Sequence, residues 1–178
     1  TYEYSKETIR GKTELTSEKS NRTSGLDKDY ATGWSYGKME TFTMLIPDFN
    51  GGSSQGALTE NSKTYKTLKS QNVDDNQSKK VIKSLPLYWG TQPGVAGPVY
   101  IGAIVIFLFV LALFIVDNRY KWWLLAATIL SILLAWGKNF MPFTDFFLHY
   151  VPGYKKFRAV SMTLVIAELC IPLLAFIG

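Results

Sequence analysis

The stretch PVYIGAIVIFLFVLALFIV, Pro98–Val116, carries no charged residue over its 19 positions. As a helix rising about 1.5 Å per residue it measures roughly 28 Å, close to the thickness of a bilayer's hydrocarbon core. At that length and composition a membrane span is expected rather than a buried core helix. Two more apolar runs follow. WWLLAATILSILLAW, Trp122–Trp136, is short for a span, but Trp122, Trp123 and Trp136 stand at its ends, where amphipathic rings favour the headgroup level. VSMTLVIAELCIPLLAFIG, Val160–Gly178, is the third. No water satisfies stray amides inside lipid, so all three runs are expected as helices, over about 98–116, 121–136 and 160–178.

The two halves of the chain differ in charge. Residues 1–97 hold 13 of the 19 Lys and Arg and 11 of the 14 Asp and Glu. The net charge of +5 therefore divides into +2 for residues 1–97 and +3 for 98–178. Neither value argues for a nucleic-acid partner, and no basic cluster follows a nucleic-acid-binding pattern. One cysteine, Cys170, and one histidine, His149, exclude an intrachain disulfide and make a His/Cys zinc site improbable. DKDYATG at 27–33 has the outline of a calcium loop but lacks its glycine and its late glutamate, so no metal is expected. No cofactor is expected either. The chain begins with Thr, has no signal-peptide pattern and ends inside an apolar run. It reads as an internal piece of a longer polytopic protein, whose remaining transmembrane helices would be its partners.

The first half reads as a polar region of mixed or irregular structure. TYEYSKETIRGKTELTSEKSN suggests a short helix, and SYGKMETFTMLIPDF a β-like run ending at Pro47. The stretch 53–84 is poor in apolar residues and reads as a loop or flexible insertion, since it has little to bury. In LPLYWGTQPGVAGPVYIG, Gly and Pro predict a bend into the first span, with Trp89 and Tyr100 as interfacial anchors.

A basic, aromatic segment, GKNFMPFTDFFLHYVPGYKKFRAVSM, separates the second and third spans. Pro142 suits the first turn of a helix, and Pro152–Gly153 ends it. Phe143, Phe146, Phe147, Tyr150 and Val151 share one helical face, and Asp145 and His149 lie four residues apart on another. The spacing predicts an interfacial helix over 143–151, lying on the membrane surface. Asp145 and His149 form either an acid/base couple or a local helix contact. Lys155, Lys156 and Arg158 follow, at the start of the third span. They either anchor that helix end by snorkelling or bind a lipid phosphate, which Arg holds bidentately. Lys138 could assist from the other end of the segment.

Glu168 falls in the middle of the third span, where a carboxylate is costly and faces a polar interior. Pro172 removes the amide that would bond the carbonyl of residue 168 and is expected to kink the helix. A pocket or ion path at this level and a hydrogen bond to a neighbouring helix both fit.

SYGKMETFTMLIPDFNGG, YWGTQPGVAGPVYIGAIV and LLAWGKNFMPFTDFFLHYVPGYKKFRAVSM together resemble the YfhO family of bacterial multi-pass membrane proteins. The resemblance covers most of the chain outside 53–84. It implies a polytopic inner-membrane protein similar to GT-C glycosyltransferases, which take a sugar from a polyprenyl-phosphate-linked donor at the extracytoplasmic face. Residues 1–97 and 137–159 would then be extracytoplasmic and DNRYK cytoplasmic. A literal count of Lys and Arg reads the orientation the other way. Under the resemblance, Arg158, Lys155, Lys156 and Lys138 would hold the lipid phosphate and the Phe143–Val151 helix the lipid. The acidic residue taken as catalytic in such enzymes lies near their N-terminus, outside this stretch. Within it, Asp48 of IPDFNGG is the one weak candidate.

The resulting expectation is a mainly α membrane protein with three transmembrane helices and one interfacial helix, preceded by a polar extracytoplasmic region. Its function would be glycosyltransferase-like. The alternative is a non-enzymatic transporter or flippase-like protein with Glu168 and the Pro172 kink on its path.

Overall fold

A computed structural model describes residues 28–94, 99–117, 119–154 and 159–178. The described residues are mainly helical, with no strand among them. The helices are α1 (Lys28–Ala31), α2 (Lys63–Ser70), α3 (Asp75–Ser84), α4 (Ala103–Ile115), α5 (Tyr120–Ala135), α6 (Met141–Tyr150) and α7 (Leu164–Ile177). Short 3-10 turns occupy Met39–Met44, Gly137–Phe140 and Val160–Thr163. The β-like run read in SYGKMETFTMLIPDF, ending at Pro47, is thus corrected, because this segment coils into the Met39–Met44 turn. The helix read in TYEYSKETIRGKTELTSEKSN lies outside the described residues.

Helix α7 is the centre of the apolar half and packs against both α4 and α5. Close approach is possible because the contact positions are small: Ala112, Ala135 and Ala167 are fully buried, beside Leu164, Ile171 and Leu174. Polar groups cross the α5–α7 seam as well. Ser131 Oγ donates to Thr163 O at 2.7 Å and accepts from Ala167 N at 3.3 Å. Apart from Glu168 on α7, the outward faces are mainly apolar, with Phe107, Phe114, Trp123, Leu169 and Phe176 exposed. Helices that are apolar all round are built for an apolar surrounding.

Among the described residues one helix, Val160–Ile177, is long and apolar enough to cross a membrane. Tyr120–Ala135 reaches that standard only together with Gly137–Tyr150, which turns away from it by 107°. The run expected as a span over 98–116 is helical only over Ala103–Ile115, 13 residues or roughly 20 Å. Its register is set by Gly102, whose φ of +114° breaks the helix. The amides of Ile101 and Gly102 both turn to Met44 O, at 3.1 and 3.2 Å.

The stretch 53–84, expected as a loop, contains the α2–α3 hairpin. It is built by caps and ion pairs instead of a large apolar face. Ser62 and Asp74 cap the two N-termini through Tyr65 N and Asn76 N. Asp75 receives Lys69 at 2.6 Å, Lys79 at 3.0 Å and the Tyr65 hydroxyl at 2.5 Å. These donors, Lys69 foremost, hold its carboxyl well below the usual carboxylate range. Only Ser78 and Ile82 of the pair are buried.

Gly137 makes the turn between α5 and α6. Its φ is +43°, and a Cβ there would lie 2.2 Å from Ser35 Oγ and 2.6 Å from Val160 Cγ2. Gly153, which follows α6, also has positive φ, +86°, but nothing lies within 4 Å of a Cβ. Gly137→Ala is expected to cost about 2–3 kcal/mol, combining backbone strain with overpacking, and Gly153→Ala about 1 kcal/mol from strain alone. Denaturant unfolding of the purified variants measures both, and equal costs would contradict the tight turn at Gly137.

Candidate functional site

The described polar residues on either side of the bundle sequence, 28–94 and 137–154, meet at one end of the helices. The segment Trp34–Met44 is the junction. Tyr36 N donates to Ala135 O at 2.7 Å, the last carbonyl of α5, and Ser161 N donates to Trp34 O at 3.2 Å. Lys138 N donates to Ser35 Oγ at 2.8 Å, Asn139 Nδ2 to Tyr36 O at 2.8 Å, and Trp136 Nε1 to Thr41 Oγ1 at 3.0 Å. The backbone bonds satisfy groups that a helix end or a sharp turn would leave unpaired. Lys28 Nζ closes the far side on Asp145 Oδ1 at 2.7 Å.

Within this junction lies a carboxylate that sequence reasoning missed. Glu40 is 2% exposed. Its Oε2 accepts from Gly37 N at 2.7 Å and Gln92 Nε2 at 3.4 Å. Its Oε1 accepts from Thr91 N at 2.6 Å and from the Tyr88 hydroxyl in a very short bond. An ionised carboxyl offers about four acceptor positions, and all of them are taken by dipolar donors. The wrap is so close that a Cβ on Gly90 would stand 1.8 Å from Glu40 Oε1. Glu40 therefore ties the strap Tyr88–Gln92 to the junction and is closed to substrate. Three of its four partners lie 48 to 52 residues away in sequence. The available signal was the glycine pair, Gly37 and Gly90, flanking polar residues in SYGKME and YWGTQ.

Helix α6 and the turn before it carry a row of half-buried rings. Trp136, Phe140, Phe143 and Phe147 follow one another at 6.2, 5.7 and 4.9 Å between centroids. Tyr154 continues the row 5.7 Å from Phe147, and Phe146 and Tyr150 form a branch at 5.0 Å from each other. The face of α6 that is buried is instead Thr144 and Leu148. At the Trp136 end the exposed Lys38 ammonium stands over two rings, 5.8 Å from Trp136 and 5.6 Å from Phe140.

The sequence-predicted residues fall as follows. Lys138 is exposed at the base of this row. Lys155, Lys156 and Arg158 lie outside the described residues. Asp48 is exposed in a turn at φ +55°, with its carbonyl accepting from Gly51 N at 2.8 Å. Glu168 is exposed on the outer surface of α7. The Asp145–His149 couple is not made: His149 Nδ1 meets the carbonyl of Asp145 at 2.8 Å, while the carboxylate pairs with Lys28. Among the described residues no three His, Cys, Asp or Glu side chains stand close enough to hold a metal ion.

Three phenols near this end are shifted. Burial, then the Glu40 charge, pushes Tyr36 above its usual 10.0. Burial and the Glu40 hydrogen bond raise Tyr88, and burial alone pushes Tyr154 up to about 12. A folded-state pKa above the unfolded value means that stability is fully present below pH 10 and is lost as pH rises beyond it. Unfolding free energy should therefore fall steeply above about pH 10, and Tyr36→Phe with Tyr88→Phe should flatten that fall. Glu40→Gln should cost about 2–4 kcal/mol at neutral pH, more than Tyr88→Phe, because it turns an amide against donors it cannot accept. A Glu40→Gln variant as stable as wild type would remove Glu40 from this role. No protein family, curated protein or solved structure matches the chain.

Proposed function

We propose that this chain is part of a multi-pass membrane protein that handles a lipid-linked phosphate at the membrane interface, in the manner of a glycosyltransferase. The donor would be a polyprenyl-phosphate-linked sugar, and the face extracytoplasmic. The observation that carries the reading is the right-angle break after α5, with the half-buried aromatic row beyond it and its exposed branch, Phe146 and Tyr150. If α5 and α7 cross the bilayer, α6 lies close to its plane, where aromatic rings are at home. A long isoprenoid or acyl chain would lie against these rings. Lys38 and Lys138 are exposed near the Trp136 end. Lys155, Lys156 and Arg158 follow Tyr154 directly in sequence. Cations beside a lipid-facing aromatic surface suit a phosphate headgroup, and they would stabilise the charge on a departing phosphate.

Three spans, inner-membrane localisation and the polyprenyl donor belong to this proposal and draw on the likeness to YfhO proteins. The common end shared by residues 28–94 and 137–154 supports placing both on one side of the membrane.

The test is made on the full-length protein in its host. Lipid-linked sugars and surface glycans are compared by mass spectrometry in wild type, a deletion strain and an Arg158→Ala strain. Accumulation of a polyprenyl-phosphate sugar, or loss of one sugar from a glycan, is expected in both mutants. Unchanged glycans in the deletion strain would overturn the reading.

A further inference from the structure

The outer face of α7 carries Val165, Leu169 and Phe176, all more than 60% exposed, and in their midst Glu168. Glu168 is the ninth of the 18 residues from Val160 to Ile177, about 12 Å from the start of that helix at ~1.5 Å per residue. No ion pair or hydrogen bond to its carboxylate occurs among the described residues. A second acceptor sits at the same level. Pro172 stands four residues on and has no N–H, so the carbonyl of Glu168 loses its regular helical donor. A carboxylate with no donor among the described residues, beside a carbonyl that has lost its regular one, cannot face hydrocarbon cheaply.

From this we infer that the Val165–Glu168–Pro172 face of α7 is the docking surface for a further membrane helix that carries a Lys or Arg at the level of Glu168. Charge complementarity selects the occupant. A wholly apolar helix would leave both acceptors unsatisfied. A second copy of α7 packed symmetrically would oppose carboxylate to carboxylate. An ammonium or guanidinium supplies several donors and one positive charge, enough for the carboxylate and the freed carbonyl together. The inference rests on the membrane reading of α7.

The experiment uses the full-length protein in native membranes. A photo-crosslinking amino acid replaces Val165 or Leu169, and the crosslinked peptide is sequenced by mass spectrometry. Expected is an apolar helical segment containing Lys or Arg. Glu168→Lys should then lower the crosslinking yield about tenfold, and reversing the partner's charge to Glu in the same protein should restore it. Crosslinks to lipid alone, or to a segment without a basic residue, would overturn the docking surface while leaving the membrane reading intact. Protein that washes off membranes with alkaline carbonate would overturn both. An unchanged yield in Glu168→Lys would overturn the charge pairing.

Discussion

A helix that stops inside a protein leaves its last carbonyls and its first amides without partners, and everything at the polar end of this molecule follows from how those groups are met. The chain meets them with one segment, Trp34–Met44. Its backbone supplies Tyr36 N to the end of α5, Trp34 O to the turn before α7, and Met44 O to the amides that precede α4. A single stretch thereby addresses all three apolar helices. It can come this close only where a side chain is missing, as at Gly137. Glu40 then fixes the segment by gathering the strap Tyr88–Gln92 around its carboxylate.

This junction is also what gives the aromatic row a definite direction. The 107° break after α5 would be a free hinge if the turn were held by its own backbone alone. Ser35 and Tyr36 bond Lys138 and Asn139 on one side of the turn, and Lys28 bonds Asp145 one turn into α6. The rings from Trp136 to Tyr154 are therefore carried on a fixed arm. In the proposed function that arm places a lipid chain and its phosphate at one depth, which is the geometric requirement for any transfer from a membrane-bound donor.

The apolar half was legible in the sequence because composition alone decides it. The second and third runs are helical where their apolar composition placed them, though only Val160–Ile177 is by itself long enough to cross a membrane among the described residues, and Pro142 and Pro152–Gly153 bracket α6 as expected. The start of α4 was not legible, since nothing in PVYIGAIV says that two amides turn to Met44 before the helix begins. The polar half failed for a different reason. The α2–α3 hairpin is held by caps and by Lys69, Lys79 and Tyr65 on Asp75, so a search for apolar periodicity sees only a loop. Glu40 owes its place to donors from Tyr88 to Gln92, and Asp145 to a lysine 117 residues earlier. Local spacing offered Asp145 the nearby His149, and long-range pairing prevailed.

The central claim is that Trp34–Met44 is a built part of the bundle and not a surface loop upon it. Amide hydrogen exchange of the full-length protein in a lipid nanodisc tests it directly, read at Tyr36, Gly37 and Thr91. If the claim holds, these amides exchange as slowly as those in the middle of α5 and α7, because their openings require the same cooperative unit to separate. Exchange at the rate of the exposed residues Thr59–Asn61, while α5 and α7 remain protected, would contradict it.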